Sequence, residues 1–273
     1  MAPKVWFITG TSRGFGREWA EAALKRGDKV AAAARSADSL ADLVDTFGDS
    51  ILPLTLDVRD RVADFEAVAR THQHFGRLDV VVNNAGYGLF GAVEETTEEQ
   101  ARAQIETNLF GALWITQASL PYLREQGRGH IVQVSSIGGV LAFPTVGLYH
   151  ASKWALEAFS ESLFQEVAEF GIKVTLIEPG GYATDWGGSS AAHTQPLPAY
   201  DNARAMVAQF MGSYPLGEPA ATREAILAVV DAEEPPLRVL FGGPPLEMAR
   251  QCYTQRLATW AAWDHLSKAA QAS

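Results

Sequence analysis

Val5-Trp6-Phe7-Ile8-Thr9-Gly10-Thr11-Ser12-Arg13-Gly14-Phe15-Gly16 is the stretch from which the fold can be read. A short β-rich apolar run enters a glycine-rich turn, and a helical pattern begins directly after it. Apolarity without polar alternation is what a strand covered on both faces requires, and parallel sheets are covered in that way. The glycines allow a tight turn and let the main chain approach a pyrophosphate. The N-terminus of the following helix offers free N–H groups and the positive end of its dipole. Strand, glycine turn and helix together predict an anion cradle built from Gly10, Ser12, Arg13, Gly14, Phe15 and Gly16.

Beyond this unit, short apolar runs alternate with longer helical patterns. Strands are expected at Val5 to Thr9, Lys29 to Ala34, Ile51 to Leu56, Val80 to Asn83, His130 to Ser135, Lys173 to Glu178 and Arg238 to Phe241, with helices between them. That alternation predicts an α/β fold: a single doubly wound, Rossmann-type domain over residues 1–273 with a central parallel sheet of about seven strands. Between Asp185 and Glu218 the periodicity weakens around Gly187-Gly188-Ser189-Ser190 and Pro196-Leu197-Pro198, which predicts either a substrate lid over about 185–218 or a disordered loop. Pro244-Pro245 then opens a C-terminal helical segment at about 244–270 carrying Trp260 and Trp263.

A formal charge of -10 argues against nucleic-acid and anionic-membrane partners, because both call for basic surface. The only cysteine, Cys252, rules out an intrachain disulfide and suits a reducing compartment. Met1-Ala2-Pro3-Lys4 runs straight into the first strand, and no apolar run approaches the ~18 residues that span a bilayer. A soluble, cytoplasmic protein is the expectation, and no metal is expected at its site.

The glycine turn also contains Gly10-Thr11-Ser12-Arg13-Gly14, a literal G-x-S-x-G. A serine hydrolase would use Ser12 as nucleophile on a strand-to-helix elbow, and His150, His193 and His265 follow it in the order such an enzyme needs. That reading leaves Tyr149 and Lys153 unexplained. These two stand four residues apart in Tyr149-His150-Ala151-Ser152-Lys153, on one face of a helix. A neighbouring ammonium stabilises a phenolate, so Lys153 is expected to lower the Tyr149 pKa and fit it for proton transfer near neutrality. Such a pair alone is more often part of a solvated face; Ser136, thirteen residues before the tyrosine, adds weight.

Taken in order, the Thr9 to Gly16 turn, Asp57-Val58, Asn83-Asn84-Ala85-Gly86, Asn108, Ser136, Tyr149 with Lys153, and Pro179-Gly180 followed by Thr184 resemble the short-chain dehydrogenase/reductase family. The resemblance implies that Ser136 binds the substrate oxygen and that Tyr149 exchanges a proton with it. It implies that Lys153 tunes Tyr149 and holds the nicotinamide ribose, and that Asn108 positions a water linked to Lys153. Asp57 and Val58 would meet the adenine, Asn84, Ala85 and Gly86 would lie beside the cofactor, and Pro179, Gly180 and Thr184 would close its site. Each has a plainer reading: Asp57 as a helix cap, Asn83 to Gly86 as a turn, Ser136 as a strand end. Their joint order favours function.

Where relatives that use NAD carry an acidic residue at the end of the second strand, this chain has Ala34 followed by Arg35. With Arg13 in the turn, two cations and no carboxylate favour NADP(H). Family geometry would bring Tyr87, Phe90, Phe143, Tyr182 and Trp186 to the substrate mouth, which suggests a bulky hydrophobic ketone or alcohol. Val134-Ser135-Ser136-Ile137-Gly138-Gly139 is similar to the hydroxysteroid and retinol branch. Family members often pair through long helices, here Glu98 to Gln126 and Gly147 to Phe170, so a homodimer or homotetramer is expected. A nonenzymatic NADP(H)-binding sensor is the alternative, although a sensor need not keep Asn108, Ser136, Tyr149 and Lys153 together.

Overall fold

The computed structural model describes residues 3–271; Met1, Ala2, Ala272 and Ser273, the ends of the expected 1–273 domain, lie outside the described residues. The first half runs β1 (Val5–Thr9), α1 (Gly14–Arg26), β2 (Lys29–Ala34), α2 (Ala41–Phe47), β3 (Ile51–Thr55), α3 (Arg61–Phe75), β4 (Val80–Asn83), β5 (Leu89–Phe90), α4 (Glu98–Ile105) and α5 (Gly111–Gln126). The second runs β6 (Gly129–Val134), α6 (Gly147–Val167), β7 (Ile172–Pro179), β8 (Ala192–His193), α7 (Asp201–Ser213), α8 (Arg223–Asp231), β9 (Arg238–Phe241), α9 (Pro244–Ala262) and α10 (Asp264–Ala270). Seven strands form one parallel sheet in the order β3-β2-β1-β4-β6-β7-β9. The strand order reverses direction between β1 and β4, and the crevice at the C-terminal ends of those strands is where such sheets bind ligands.

Both faces of the sheet are covered. Trp6, Ile8, Val30, Ala32, Val80, Val82 and Val132 pack with Trp19 of α1 and Ile226 of α8. Phe7, Ala31, Ala33, Val81, Ile131 and Val174 pack with Val68 of α3, Ile115 of α5 and Leu163 of α6. The near-absence of polar alternation in the strands follows from this double covering. Ala31 to Ala34, strong helix formers by propensity, are held extended because β2 lies between β1 and β3, hydrogen-bonded to both.

Two segments depart from the sequence reading. The expected helix from Glu98 to Gln126 is interrupted by a π turn at Glu106–Phe110, which carries Asn108. Asn108 is 1% exposed there; its Nδ2 donates to the Tyr87 carbonyl and Ser152 Oγ, and its Oδ1 accepts the Tyr87 N–H. π turns of this kind recur at functional sites. The 185–218 segment is neither a disordered loop nor structureless: β8 pairs with β5, and α7 follows. Glu95 pins it. Its buried carboxylate accepts from the Leu197 N–H at 2.7 Å, the Ala92 N–H at 2.8 Å and the Thr194 hydroxyl at 3.1 Å, and it pairs with Arg204 at 2.6 Å. The C-terminal segment forms two helices that meet at Trp263. Trp260 and Trp263 are exposed at 64% and 58%. No helix among the described residues is long and apolar enough to cross a membrane.

Candidate active site

Thr9 ends β1 on the crevice, and its hydroxyl accepts the main-chain N–H groups of Asn84 and Ala85, both at 3.0 Å. The Asn84 amide donates in return to the carbonyls of Thr9 at 2.9 Å and Gly10 at 3.1 Å. Asn84 and Ala85 therefore lock the end of β4 onto the glycine turn. Gly10 has a φ of +70°, and a Cβ at Gly16 would lie 2.4 Å from the Gly10 carbonyl oxygen, so neither position tolerates a side chain. Arg13, at the start of α1, makes no side-chain cap, and the first turn carries no acidic residue. The helix N-terminus is thus free for an anion, and these residues fit the phosphates of a dinucleotide. Phe15 does not face outward. Its ring packs on Trp19 and Tyr182 at centroid distances of 5.4 and 5.0 Å, tying α1 to the chain after β7.

On the other side of the crevice, Ser136 follows β6 while Tyr149 and Lys153 lie on the first turns of α6. Tyr149 is 7% and Lys153 6% exposed. The Lys153 Nζ donates to the Val134 carbonyl at 2.7 Å and lies 5.9 Å from the centre of the Tyr149 ring. A Cβ on Gly86 would lie 3.2 Å from the Asn108 Oδ1 and 3.6 Å from the Lys153 Nζ, so Gly86, Asn108 and Lys153 converge. Asn108 Nδ2 donates to Ser152 Oγ at 3.1 Å, and Ser152 donates to the Tyr149 carbonyl at 2.7 Å.

The electrostatics differ from the sequence expectation. Burial pushes the Tyr149 phenol up to about 12, with a hydrogen bond from Ser136 pulling the other way. Burial likewise pushes Lys153 down to about 8, opposed by Glu157. Desolvation of both groups therefore outweighs the expected lowering of the phenol by the ammonium. At neutral pH this leaves a protonated phenol beside a largely charged lysine, a pair set up to give a proton.

The remaining expected cofactor residues surround the crevice with varied fates. Asp57 is held by Arg59, whose Nη2 lies 2.6 Å from Oδ2, and Arg35 adds its field to keep that carboxyl below the usual range. The Val58 side chain is buried against Gly111, so a nucleotide contact there falls to main-chain atoms. The Gly180 N–H donates to the Phe241 carbonyl at 2.9 Å, which fixes the chain after Pro179. Thr184 reaches back to the glycine turn, its Cγ2 3.7 Å from where a Gly14 Cβ would be. Arg13 pairs with Asp185 and donates to Ser189 at 3.1 Å, whereas Arg35 is exposed.

Ser12 is exposed, and no histidine hydrogen-bonds to it among the described residues. Both His150 nitrogens are engaged with main chain, His193 stacks on Phe90, and His265 stacks on Trp263.

Of the aromatic residues expected at the substrate mouth, Trp186 lies over Tyr149 at 4.8 Å and Phe90 against Trp186 at 5.0 Å. Trp186 fits in a notch at Gly88, where a Cβ would lie 2.7 Å from its Cζ2. Phe143 contacts Phe210 of α7 at 5.5 Å. Tyr182 instead packs on Phe15, on the cofactor side. Sequence reasoning missed Thr9 as a hydrogen-bonding centre, Ser152, Gly88 and Glu95. Ser152 sits within the helical run that holds the Tyr149–Lys153 pair, while nothing local marks Glu95.

Residues 4–195 match the model of the short chain dehydrogenase family. Oxidoreductase BOA17 of Botryotinia fuckeliana is 43% identical over 270 residues, 97% of this chain and 98% of that protein. A short-chain dehydrogenase structure from Streptomyces avermitilis matches with a TM-score of 0.93 at 39% identity over 99% of each chain. A short chain dehydrogenase from Burkholderia cenocepacia, solved in complex with NADP, matches with a TM-score of 0.77 at 27% identity over 95% of this chain and 97% of its own.

Proposed function

Because this chain belongs to the short-chain dehydrogenase family of oxidoreductases, we propose that it interconverts a hydrophobic ketone and its alcohol with NADP(H), using Tyr149 as acid and base. The observation that carries this reading is the convergence of Ser136, Tyr149, Lys153 and Asn108 on one buried corner of the dinucleotide crevice. A bound nicotinamide dinucleotide supplies the hydride to the carbonyl carbon in reduction and accepts it in oxidation. The Ser136 hydroxyl donates a hydrogen bond to the substrate oxygen. The Tyr149 Oη gives that oxygen its proton in reduction and takes it back in oxidation. Lys153 stabilises the phenolate left behind and holds the nicotinamide ribose. Asn108, fixed by the π turn, places a water linked to Lys153 through which the phenolate regains its proton.

Ala34 and Arg35 at the end of β2 support NADP(H): no carboxylate stands there to repel a 2′-phosphate, and the exposed Arg35 can meet one. The wall formed by Phe90, Trp186 and Tyr149 supports a bulky apolar or aromatic substrate. Assembly as a homodimer or homotetramer would use the long helices α4, α5 and α6; on α6, Phe164 is 39% exposed. Light scattering at dilute concentration tests that assignment.

NADPH oxidation against aromatic, steroidal and small aliphatic ketones, with Tyr149→Phe as control, tests the activity. Turnover that the variant loses while still binding NADPH is the expected result. Tight NADPH binding with no ketone turned over would replace this reading with that of a sensor.

A further inference from the structure

His150 follows Tyr149 on α6 and is 5% exposed, yet no step above uses it. Its Nε2 accepts the main-chain N–H of Phe143 at 2.9 Å, and its Nδ1 lies 2.8 Å from the Gly138 carbonyl oxygen. An amide N–H only donates and a carbonyl only accepts, so the two contacts together admit one ring form: neutral, with the proton on Nδ1. The two partners are the two ends of the 138–143 segment. The Gly138 N–H donates in turn to Ser136 Oγ at 3.0 Å, and that hydroxyl lies near enough to the Tyr149 phenol to pull its pKa down against burial. A Cβ at Gly138 would lie 2.6 Å from the His150 Nδ1. The glycine is what lets the ring reach the carbonyl. Phe143 covers the imidazole at 5.6 Å and is backed by Phe210.

We propose that His150 is a positioning residue: its neutral ring clamps both ends of the 138–143 segment to α6 and so fixes the Ser136 hydroxyl against Tyr149. The inference rests on the reductase reading for its catalytic consequence and on hydrogen-bond geometry for the clamp itself. Protonating Nε2 sets a donor against the Phe143 N–H and opens the clamp. Burial pushes the His150 pKa below its ordinary value, against the pull of the Gly138 carbonyl, so the clamp is closed at neutral pH. The titratable and charged groups around it are Tyr149, Lys153 and Glu157 on its own helix, Arg256 of α9, whose Nη1 donates to the Val140 carbonyl at 3.0 Å, and Tyr214 beyond Phe210. None hydrogen-bonds to the imidazole among the described residues. In ketone reduction Tyr149 must keep its proton and Lys153 its charge, and acid satisfies both. An acid-side loss of rate therefore cannot come from either of them.

The test is the pH profile of NADPH-driven ketone reduction for the wild type and His150→Gln, with far-UV circular dichroism at each pH to confirm folding. The wild-type kcat should fall on the acid side, by about tenfold per pH unit once below the imidazole pKa. The glutamine offers Phe143 an acceptor that does not titrate. Its kcat at pH 7 should drop about tenfold with the KM for NADPH unchanged, and the acid limb should vanish. A wild-type profile flat toward acid, an unchanged kcat in the variant, or an acid limb that survives in it overturns the proposal. Imidazole 15N shifts supply the second arm. A neutral Nδ1-protonated ring at pH 7 is expected, and an Nε2-protonated or cationic ring overturns the clamp. If that expected ring form is found but no ketone is reduced, the reductase reading fails and the clamp stands.

Discussion

Replacing Asp64 by asparagine should change how the stability of the protein depends on pH. Asp64 lies in the first turn of α3 at 0% exposure, and among the described residues neither carboxylate oxygen has a hydrogen-bond partner. Burial, followed by repulsion from Asp60 and Asp57, pushes its carboxyl up to about 8 from 3.8. The folded state therefore holds a proton that the unfolded chain has already released over most of that window. Stability contributed below the unfolded pKa is lost as pH rises, and the loss is complete once pH passes about 8. A shift of about four units at roughly 1.4 kcal/mol each sets an upper bound of about 6 kcal/mol. Of that bound, the three units between pH 5 and about 8 account for about 4 kcal/mol. Asparagine keeps the shape without the titration, and its buried amide costs about 1–3 kcal/mol at every pH. Urea unfolding of both proteins from pH 5 to 9 at constant ionic strength reads the difference. The variant should gain about 4 kcal/mol on the wild type across that range, or roughly 8–16 °C in Tm. Parallel stability curves would mean that Asp64 has a partner or solvent access that this burial denies.

Arg35→Asp should lower the ratio of NADPH to NADH efficiency by about two orders of magnitude, because a carboxylate would then face the 2′-phosphate; steady-state kinetics with both cofactors checks this, and an unchanged ratio removes Arg35 from cofactor selection. Trp186→Ala should raise kcat/KM for large ketones relative to small ones by about tenfold. Gly88→Ala, which displaces the same ring, should act in the same direction, and equal selectivity in all three proteins refutes the aromatic wall. Glu95→Gln should loosen residues 185–217 and speed limited proteolysis there at pH 7. Hydrogen bonds from Leu197 and Arg204 hold the Glu95 carboxyl down to about 2, so wild-type protection of the Leu197 amide in hydrogen exchange should persist at pH 4 and fade only as pH falls further. Loss of protection at pH 4 would contradict the assigned charge.

The strands could be read from the sequence because each buries both faces, and a run such as Val5 to Thr9 or Val80 to Asn83 has few other uses in a globular chain. All seven lie within one residue of their expected ends. The glycine turn could be read because Gly10 and Gly16 meet constraints set by close backbone approach, and only glycine satisfies them. Tyr149 and Lys153 could be paired because four residues on a helix fix their side. Everything decided by partners distant in the chain escaped such reasoning. The order in the 185–218 segment depends on Glu95, about a hundred residues before Leu197 and Arg204. The π turn depends on Asn108 finding Tyr87 and Ser152. The protonation of Tyr149 depends on how completely the fold removes it from water, a quantity with no local signature, and there desolvation outweighed the lysine that the spacing had placed beside it. Sequence by itself determined the sheet, the glycine turn and the placing of Tyr149 beside Lys153; the tertiary structure alone decided their charge, their partners and what packs over them, because burial and long-range hydrogen bonds exist only once the chain has folded.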